Sequence, residues 1–393
     1  MAAFADAAAA AGTGIAWLSD MPNHFLVRNG LPNFARVLRE RPVTIAYLGG
    51  SLTMMKEGWR PRLHNWFNGF FPRHEGHRML HVGRGGVGSA SGAFFVQEEI
   101  CGLNPDIVFV EYAINDSFPF ITPPVIIRQA IEGIVRGIKE RHPCCDICFV
   151  YTTHVLRRSE IQAVVGVYEE IAEHYGIPSM NVGEIFWELV ESGDYSFQGE
   201  NDRPALLRDF CHPLPMGNEL VTDYLCRCLL KMLLDQPGEW APRMPDAMRD
   251  DSLCRGRVEA VKPGMIQGPY ERHRRVVGNY DQEVEWYSLP VGSSLKIGPE
   301  GTLVGFYTVV GPQSGIMKGE AGPRAFYRTL FDRWCSYDRI STCIIVDTPD
   351  DLRSSRCPVN LCITDQTPDY SVCAELQSKP DEMRLNVVSL FLA

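Results

Sequence analysis

No stretch of the 393-residue chain approaches the roughly 20 consecutive apolar residues that a membrane span needs. The opening MAAFADAAAAAGTG lacks both the basic flank and the apolar core of a secretory signal. Basic excess is missing as well: 38 Lys+Arg stand against 48 Asp+Glu, for a net charge of −10. With no positive field to recruit phosphate backbones or anionic lipid, neither nucleic acid nor membrane is an expected partner. Internal repeats are absent, and the only low-complexity stretch is the Ala-rich start. Thirteen cysteines are an odd number spread over a long chain, which suits free thiols in a reducing compartment better than a disulfide framework. The expectation is a soluble, unexported, cytoplasmic protein.

What is present is an ordinary globular composition, 45% hydrophobic and 22% charged. The length suits two or three domains. From residue 42 onward, short β-branched runs alternate with longer stretches of helical period. The runs VTIAYL (43–48), RMLHV (78–82), DIVFVEYA (106–113), DICFVYTTHV (146–155) and IPSMNV (177–182) predict buried parallel strands. Ile126, Ile127, Ala130, Ile131, Ile134, Val135 and Ile138 fall on one helical face behind a double proline. Further helices are predicted over 159–175, closed by Gly176, and over 219–234. Steady alternation of this kind predicts a doubly wound α/β sheet, with its crevice beyond the carboxyl ends of the strands. After DQPGEWAPRMPDAM the pattern changes to short strands, SLKIG, TLVGFYTVV, STCIIVD, VNLCITD and RLNVVSLFLA, which predict a separate, smaller all-β sandwich-like unit. The expected division is a flexible extension over residues 1–30, an α/β domain over 31–240 and a β domain over 250–393.

Four places could carry chemistry. Ser51 follows the first strand in LGGSLT, which displays its hydroxyl at the crevice, although Gly-Gly-Ser is also a common turn and Thr53 stands where a Gly-x-Ser-x-Gly elbow needs glycine. Gly83-Arg84-Gly85-Gly86-Val87-Gly88 follows the second strand. It satisfies Gly-x-Gly-x-x-Gly, with Glu111 near where a ribose ligand is sought, so it reads either as a dinucleotide turn or as a turn lending a backbone N–H to another site. Asn115-Asp116 ends the third strand, as turn formers or as a carboxamide aimed at developing negative charge. Asp209-Phe210-Cys211-His212 precedes the last helix, so that one turn can bring carboxylate and imidazole together.

Serine, glycine, asparagine and Asp-x-x-His in this order on an α/β pattern resemble the SGNH (GDSL-type) hydrolases, on their carbohydrate-acetylesterase side, over residues 30–236. The resemblance implies a flavodoxin-like sheet, with Ser51 as nucleophile and His212 as general base partnered by Asp209. It also implies an oxyanion hole from the N–H groups of Ser51 and Gly86 and the Asn115 side chain. The chemistry is consistent with elementary requirements: a serine hydroxyl needs a base to take its proton, and an imidazole accepts that proton and later returns it to the leaving group. The implied reaction is hydrolysis of a small O-acyl ester, an acetyl on a saccharide or other small molecule, without cofactor or metal. A lipase, a thioesterase or a non-catalytic carbohydrate-binding protein on the same scaffold is the alternative. One departure stands out, Gly49-Gly50-Ser51 where the family has Gly-Asp-Ser, which leaves the support of the nucleophile loop open.

Trp59, Arg60 and Phe118, just past the nucleophile and the asparagine, are expected to line the substrate pocket, or else to pack its rim. Cys144, Cys145 and Cys148 contain a Cys-x-x-Cys spacing with no second pair to complete a zinc site. Cys211 beside His212 is a conceivable nucleophile, and His154, at the end of the fourth strand, is a neighbour of the site.

Overall fold

In the computed structural model residues 24–71, 76–234, 244–250, 252–278, 283–346 and 358–393 are described. The near-continuous apolar runs become the middle of a six-stranded sheet because both of its faces are covered. Its strands are β1 (Phe25–Leu26), β2 (Thr44–Gly49), β3 (Arg78–Gly83), β4 (Ile107–Glu111), β5 (Asp146–Tyr151) and β6 (Ser179–Asn181), in the order β1-β6-β5-β4-β2-β3. From β2 to β6 every pairing is parallel. Counted from β2, the order is the doubly wound 2-1-3-4-5 of flavodoxin-like sheets. Phe25–Leu26, assigned by sequence to a flexible extension, instead add an antiparallel edge strand on β6. Two residues without alternation give no strand signal of their own. The rest of the expected extension, residues 1–23, lies outside the described residues.

Helices Ser89–Phe95, Pro124–Arg141 and Arg158–Tyr175 cover one face of the sheet. Helices Pro32–Glu40, Trp59–Phe70, Val182–Glu191 and Pro215–Leu234 cover the other. Pro124 stands at the start of its helix, where the missing N–H costs nothing. Gly176 ends another in the left-handed region at φ 67°.

Beyond Arg257 the described chain is all-β, in antiparallel sheets of four, five and three strands. Leu289, Leu295, Phe306, Leu361, Leu385 and Leu390, all fully buried, belong to the core between them. The hairpin Ile316–Ala321 with Arg324–Thr329 had no sequence signal, since its strands are polar and partly exposed. The run RLNVVSLFLA, expected as one strand, is two, Arg384–Val387 and Ser389–Leu392, lying in different sheets.

The two units share one core. Phe391 stacks on Phe94 at 4.9 Å and meets Phe95 edge-on at 5.4 Å. Arg84 donates to the Tyr307 hydroxyl at 2.9 Å while its guanidinium lies 3.9 Å over the Phe95 ring. The turn after β3 is thereby held from the β unit by the residue two places before Gly86.

Candidate active site

Three of the four sequence candidates follow the carboxyl ends of β2, β3 and β4, where the doubly wound rule puts a site, and the fourth, Asp209–His212, reaches the first from the loop before the last helix. β2 ends at Gly49, and Ser51 opens the one-turn helix Ser51–Met54 behind an extended Gly50. As the first helical residue, Ser51 has a backbone N–H with no partner inside the helix. Close packing explains the two glycines: a Cβ at Gly49 would stand 2.2 Å from Thr53 Oγ1, and one at Gly50 would stand 2.8 Å from Asn115 Oδ1. The Asn115 amide thus lies against the residue preceding Ser51.

The turn after β3 docks on the same helix. Arg84 N–H donates to Gly49 O at 3.1 Å, and a Cβ on Gly83 would come within 2.6 Å of the Met54 backbone nitrogen. Gly86 takes φ 71°, a conformation that suits only glycine without strain. The buried Asp116 fixes this turn to the asparagine turn, accepting from the Ser89 N–H and the Tyr168 hydroxyl, both at 2.8 Å. Burial raises the Asp116 pKa, against the opposing bonds from Ser89, Thr122 and Tyr168.

The loop before helix Pro215–Leu234 supplies the remaining pair. The His212 ring places Nε2 2.7 Å from Ser51 Oγ and Nδ1 2.9 Å from both carboxylate oxygens of Asp209. Asp209 also accepts the N–H groups of Cys211 at 3.0 Å and His212 at 2.9 Å, so a single tight turn aims the carboxylate. Burial pushes the Asp209 pKa up, but the two amides and the facing imidazole outweigh it and leave the group below its ordinary value. Hydroxyl, imidazole and carboxylate form a continuous hydrogen-bonded chain.

Cys211 does not compete as nucleophile. Its thiol, 3.6 Å from His212 Nδ1, is pushed up to about 12 by burial and by Asp209, so it stays protonated at neutral pH. Asp209, Cys211 and His212 are the one grouping of metal-ligating side chains among the described residues, and they are the same atoms that make the hydrogen-bonded chain. His154 is buried and stacks on Phe210 at 5.7 Å with Phe118 edge-on at 5.6 Å. Burial and the nearby Arg157 and Arg333 lower its pKa, and its Nδ1 accepts the Leu156 N–H at 3.2 Å.

The expected pocket residues separate. Phe118 is half-buried at the mouth, under the Arg157 guanidinium at 4.3 Å. Trp59 and Arg60 do not line an open pocket: both are buried. Trp59 packs on Tyr47 and Phe109, and Arg60 donates to Thr53 O at 2.8 Å and Met55 O at 3.4 Å, tying down the end of helix Ser51–Met54. A proximity argument from sequence cannot tell which side of a helix a residue takes. Phe210, exposed and stacked on His154, was passed over as a spacer inside Asp-x-x-His.

The dinucleotide reading of the glycine turn loses its ribose ligand. Glu111 is 1% exposed and accepts the hydroxyls of Thr53 at 3.0 Å and Thr152 at 3.2 Å, so its carboxyl is buried beneath helix Ser51–Met54. Every cysteine among the described residues is a free thiol, and no helix among them is long and apolar enough to cross a membrane.

No family profile matches the sequence, and no curated protein matches it. Solved structures do. A two-domain esterase (CEX) active on acetylated mannans is similar at a TM-score of 0.70 and 16% identity, covering 93% of this chain and 98% of that one. The same esterase co-crystallized with mannopentaose matches at 0.70 and 16%, covering 93% of this chain and 95% of the other. An acetylxylan esterase from Geobacillus stearothermophilus, in a catalytic mutant, matches at a TM-score of 0.38 and 15% identity, over 48% of this chain and 94% of that one. At such identities the likeness to the two-domain esterase is one of fold: a doubly wound α/β unit joined to an all-β domain.

Proposed function

We propose that the chain is a serine esterase of SGNH type that removes a small O-acyl group, an acetyl, from a saccharide. The observation that carries the reading is the chain Ser51–His212–Asp209, closed at 2.7 Å and 2.9 Å by residues 161 and 3 positions apart in sequence. His212 takes the hydroxyl proton on Nε2 as Ser51 Oγ bonds to the ester carbon, and Asp209 stabilises the resulting imidazolium through Nδ1–H. The carbonyl oxygen becomes an oxyanion, and in this reading the N–H groups of Ser51 and Gly86 and the Asn115 carboxamide donate to it. Collapse breaks the ester C–O bond, and the alcohol leaves with the proton from His212. Water, deprotonated by the same ring, then attacks the acyl-serine and releases acetate with Ser51 restored.

Two observations favour a saccharide. The similar two-domain esterase is active on acetylated mannans. At this site, the rim offers Phe118, Phe120 and Phe210, of which the last two are exposed, as flat faces for a sugar ring. Catalysis belongs to residues 31–240 in this reading, and residues 250–393 brace the oxyanion turn through Tyr307. Cytoplasmic residence is part of the same proposal, supported by the free thiols.

The test is turnover of p-nitrophenyl acetate and release of acetate from acetylated manno-oligosaccharides. Wild type is expected to hydrolyse both, a serine-directed phosphonate to label Ser51 and stop turnover, and Ser51→Ala to be inert. Equal rates in wild type and Ser51→Ala, or no hydrolysis by wild type, would overturn the proposal.

A further inference from the structure

Building on the esterase reading, we infer that Glu111 is a positioning residue, the buried clamp of the nucleophile turn, in the place left by the aspartate missing before Ser51. Position 50 carries no side chain, and a Cβ there would stand 2.8 Å from Asn115 Oδ1. The support comes instead from beneath, off the last residue of β4. Glu111 Oε2 accepts the Thr53 hydroxyl at 3.0 Å, and Oε1 accepts the Thr152 hydroxyl past the end of β5 at 3.2 Å. Its backbone carbonyl accepts the Gly50 N–H at 3.2 Å. One residue therefore holds the turn before the nucleophile, the helix after it and the neighbouring strand end.

The arrangement is more than a satisfied core carboxyl. Thr53 is fully buried and lies two residues after Ser51 on a helix only four residues long, so any shift of Thr53 moves the nucleophile directly. The same helix is tied at its other end by Arg60 on Thr53 O and Met55 O. Ser51 Oγ must stay within reach of His212 Nε2 while its own N–H stays aimed at the oxyanion, and a fraction of an ångström lost there is lost in the transition state, not in ground-state binding. Glu111 itself touches neither substrate nor the reacting atoms. Its effect passes through the Ser51 turn.

The experiment compares kcat and KM on p-nitrophenyl acetate for wild type, Ser51→Ala, Glu111→Gln, Thr53→Val and Thr53→Ser, each checked by circular dichroism and thermal midpoint. Ser51→Ala is expected to be inert. Glu111→Gln and Thr53→Val are expected to lose kcat by about 10- to 100-fold with KM within about twofold, and Thr53→Ser, which keeps the hydroxyl, to recover kcat to within about threefold of wild type. An inert Ser51→Ala beside Glu111→Gln and Thr53→Val at wild-type kcat overturns the clamp and leaves the esterase reading standing. An active Ser51→Ala sinks the esterase reading itself, and the clamp with it. Should Glu111→Gln not fold, the near-isosteric Thr53→Val decides, and activity that falls only in step with folded protein, or through KM, counts against the clamp.

Discussion

Replacing Asp209 by Asn tests the geometry of the base most directly. The carboxylate receives His212 Nδ1 at 2.9 Å on both oxygens, while Oδ1 also holds the N–H groups of Cys211 at 3.0 Å and His212 at 2.9 Å. Asparagine keeps one acceptor. The two amides claim it, so the new Nδ2 must turn toward His212 Nδ1, and two donors then face each other unless the ring moves its proton to Nε2. That proton would stand at the 2.7 Å contact with Ser51 Oγ, where a base needs its lone pair. In a buried triad the amide substitution lowers kcat by up to about 10⁴. Here the Asp209 side chain is 43% exposed, and water screens and partly replaces it, so the expected loss is roughly 10²- to 10³-fold, or about 3 to 4 kcal/mol in the barrier. The assay is steady-state hydrolysis of p-nitrophenyl acetate near pH 8, with Ser51→Ala as the floor. A kcat within about threefold of wild type would refute the assignment of Asp209 as the orienting acid, while a fall to the Ser51→Ala floor would show it to matter more than its exposure allows.

Three further outcomes follow from the same contacts. On the esterase reading, Asn115→Ala removes one of three proposed oxyanion donors and should lower kcat by about 10²- to 10³-fold with little change in KM; a rise in KM alone would assign Asn115 to ground-state binding. Phe391→Ala empties a fully buried site between the two units, where the ring stacks on Phe94, and should cost about 3 to 5 kcal/mol in chemical denaturation, so an unchanged midpoint would contradict a shared core. Glu111 is pushed up from 4.5 to about 7 by burial, against the bonds from Thr53, Thr152 and Gly50. The folded protein therefore holds a proton there that the unfolded chain gives up. The resulting stabilisation is full below about 4.5 and is lost as pH rises to about 7. At 1.36 kcal/mol per pH unit it is on the order of 3 kcal/mol, and Glu111→Gln should flatten that part of the stability profile. Asp209, held below its ordinary value, acts with the opposite sign at lower pH.

Much of this site was legible because its residues occupy fixed stations of a doubly wound sheet. Once β2, β3 and β4 are read from their apolar runs, Ser51, Gly86 and Asn115 each follow a strand end, and topology alone brings them to one mouth. The Asp-x-x-His turn was legible for a local reason, since three residues suffice to return a side chain onto an imidazole. The edge strand Phe25–Leu26 and the hairpin over 316–329 were not, because two residues carry no period and a half-exposed strand carries no unbroken apolar run. Trp59 was misplaced for a related reason: nearness in sequence to Ser51 fixes distance along the helix but not the face, and the face was decided by Tyr47 and Phe109 beneath it.

The supports escaped the sequence for a deeper reason. Glu111 was visible as an acid at a strand end, which is where a nucleotide ligand also stands, and only its 1% exposure distinguishes a group facing inward from one facing a ligand. Gly50 and Glu111 are related by space alone: the Asn115 amide lies against position 50, and a carboxyl that bonds the turn arrives from the neighbouring strand. A one-residue departure from a family pattern, read along the chain, looks like a loss. In three dimensions the turn keeps its support, since the Glu111 carbonyl holds Gly50 and its carboxyl holds Thr53, on either side of Ser51.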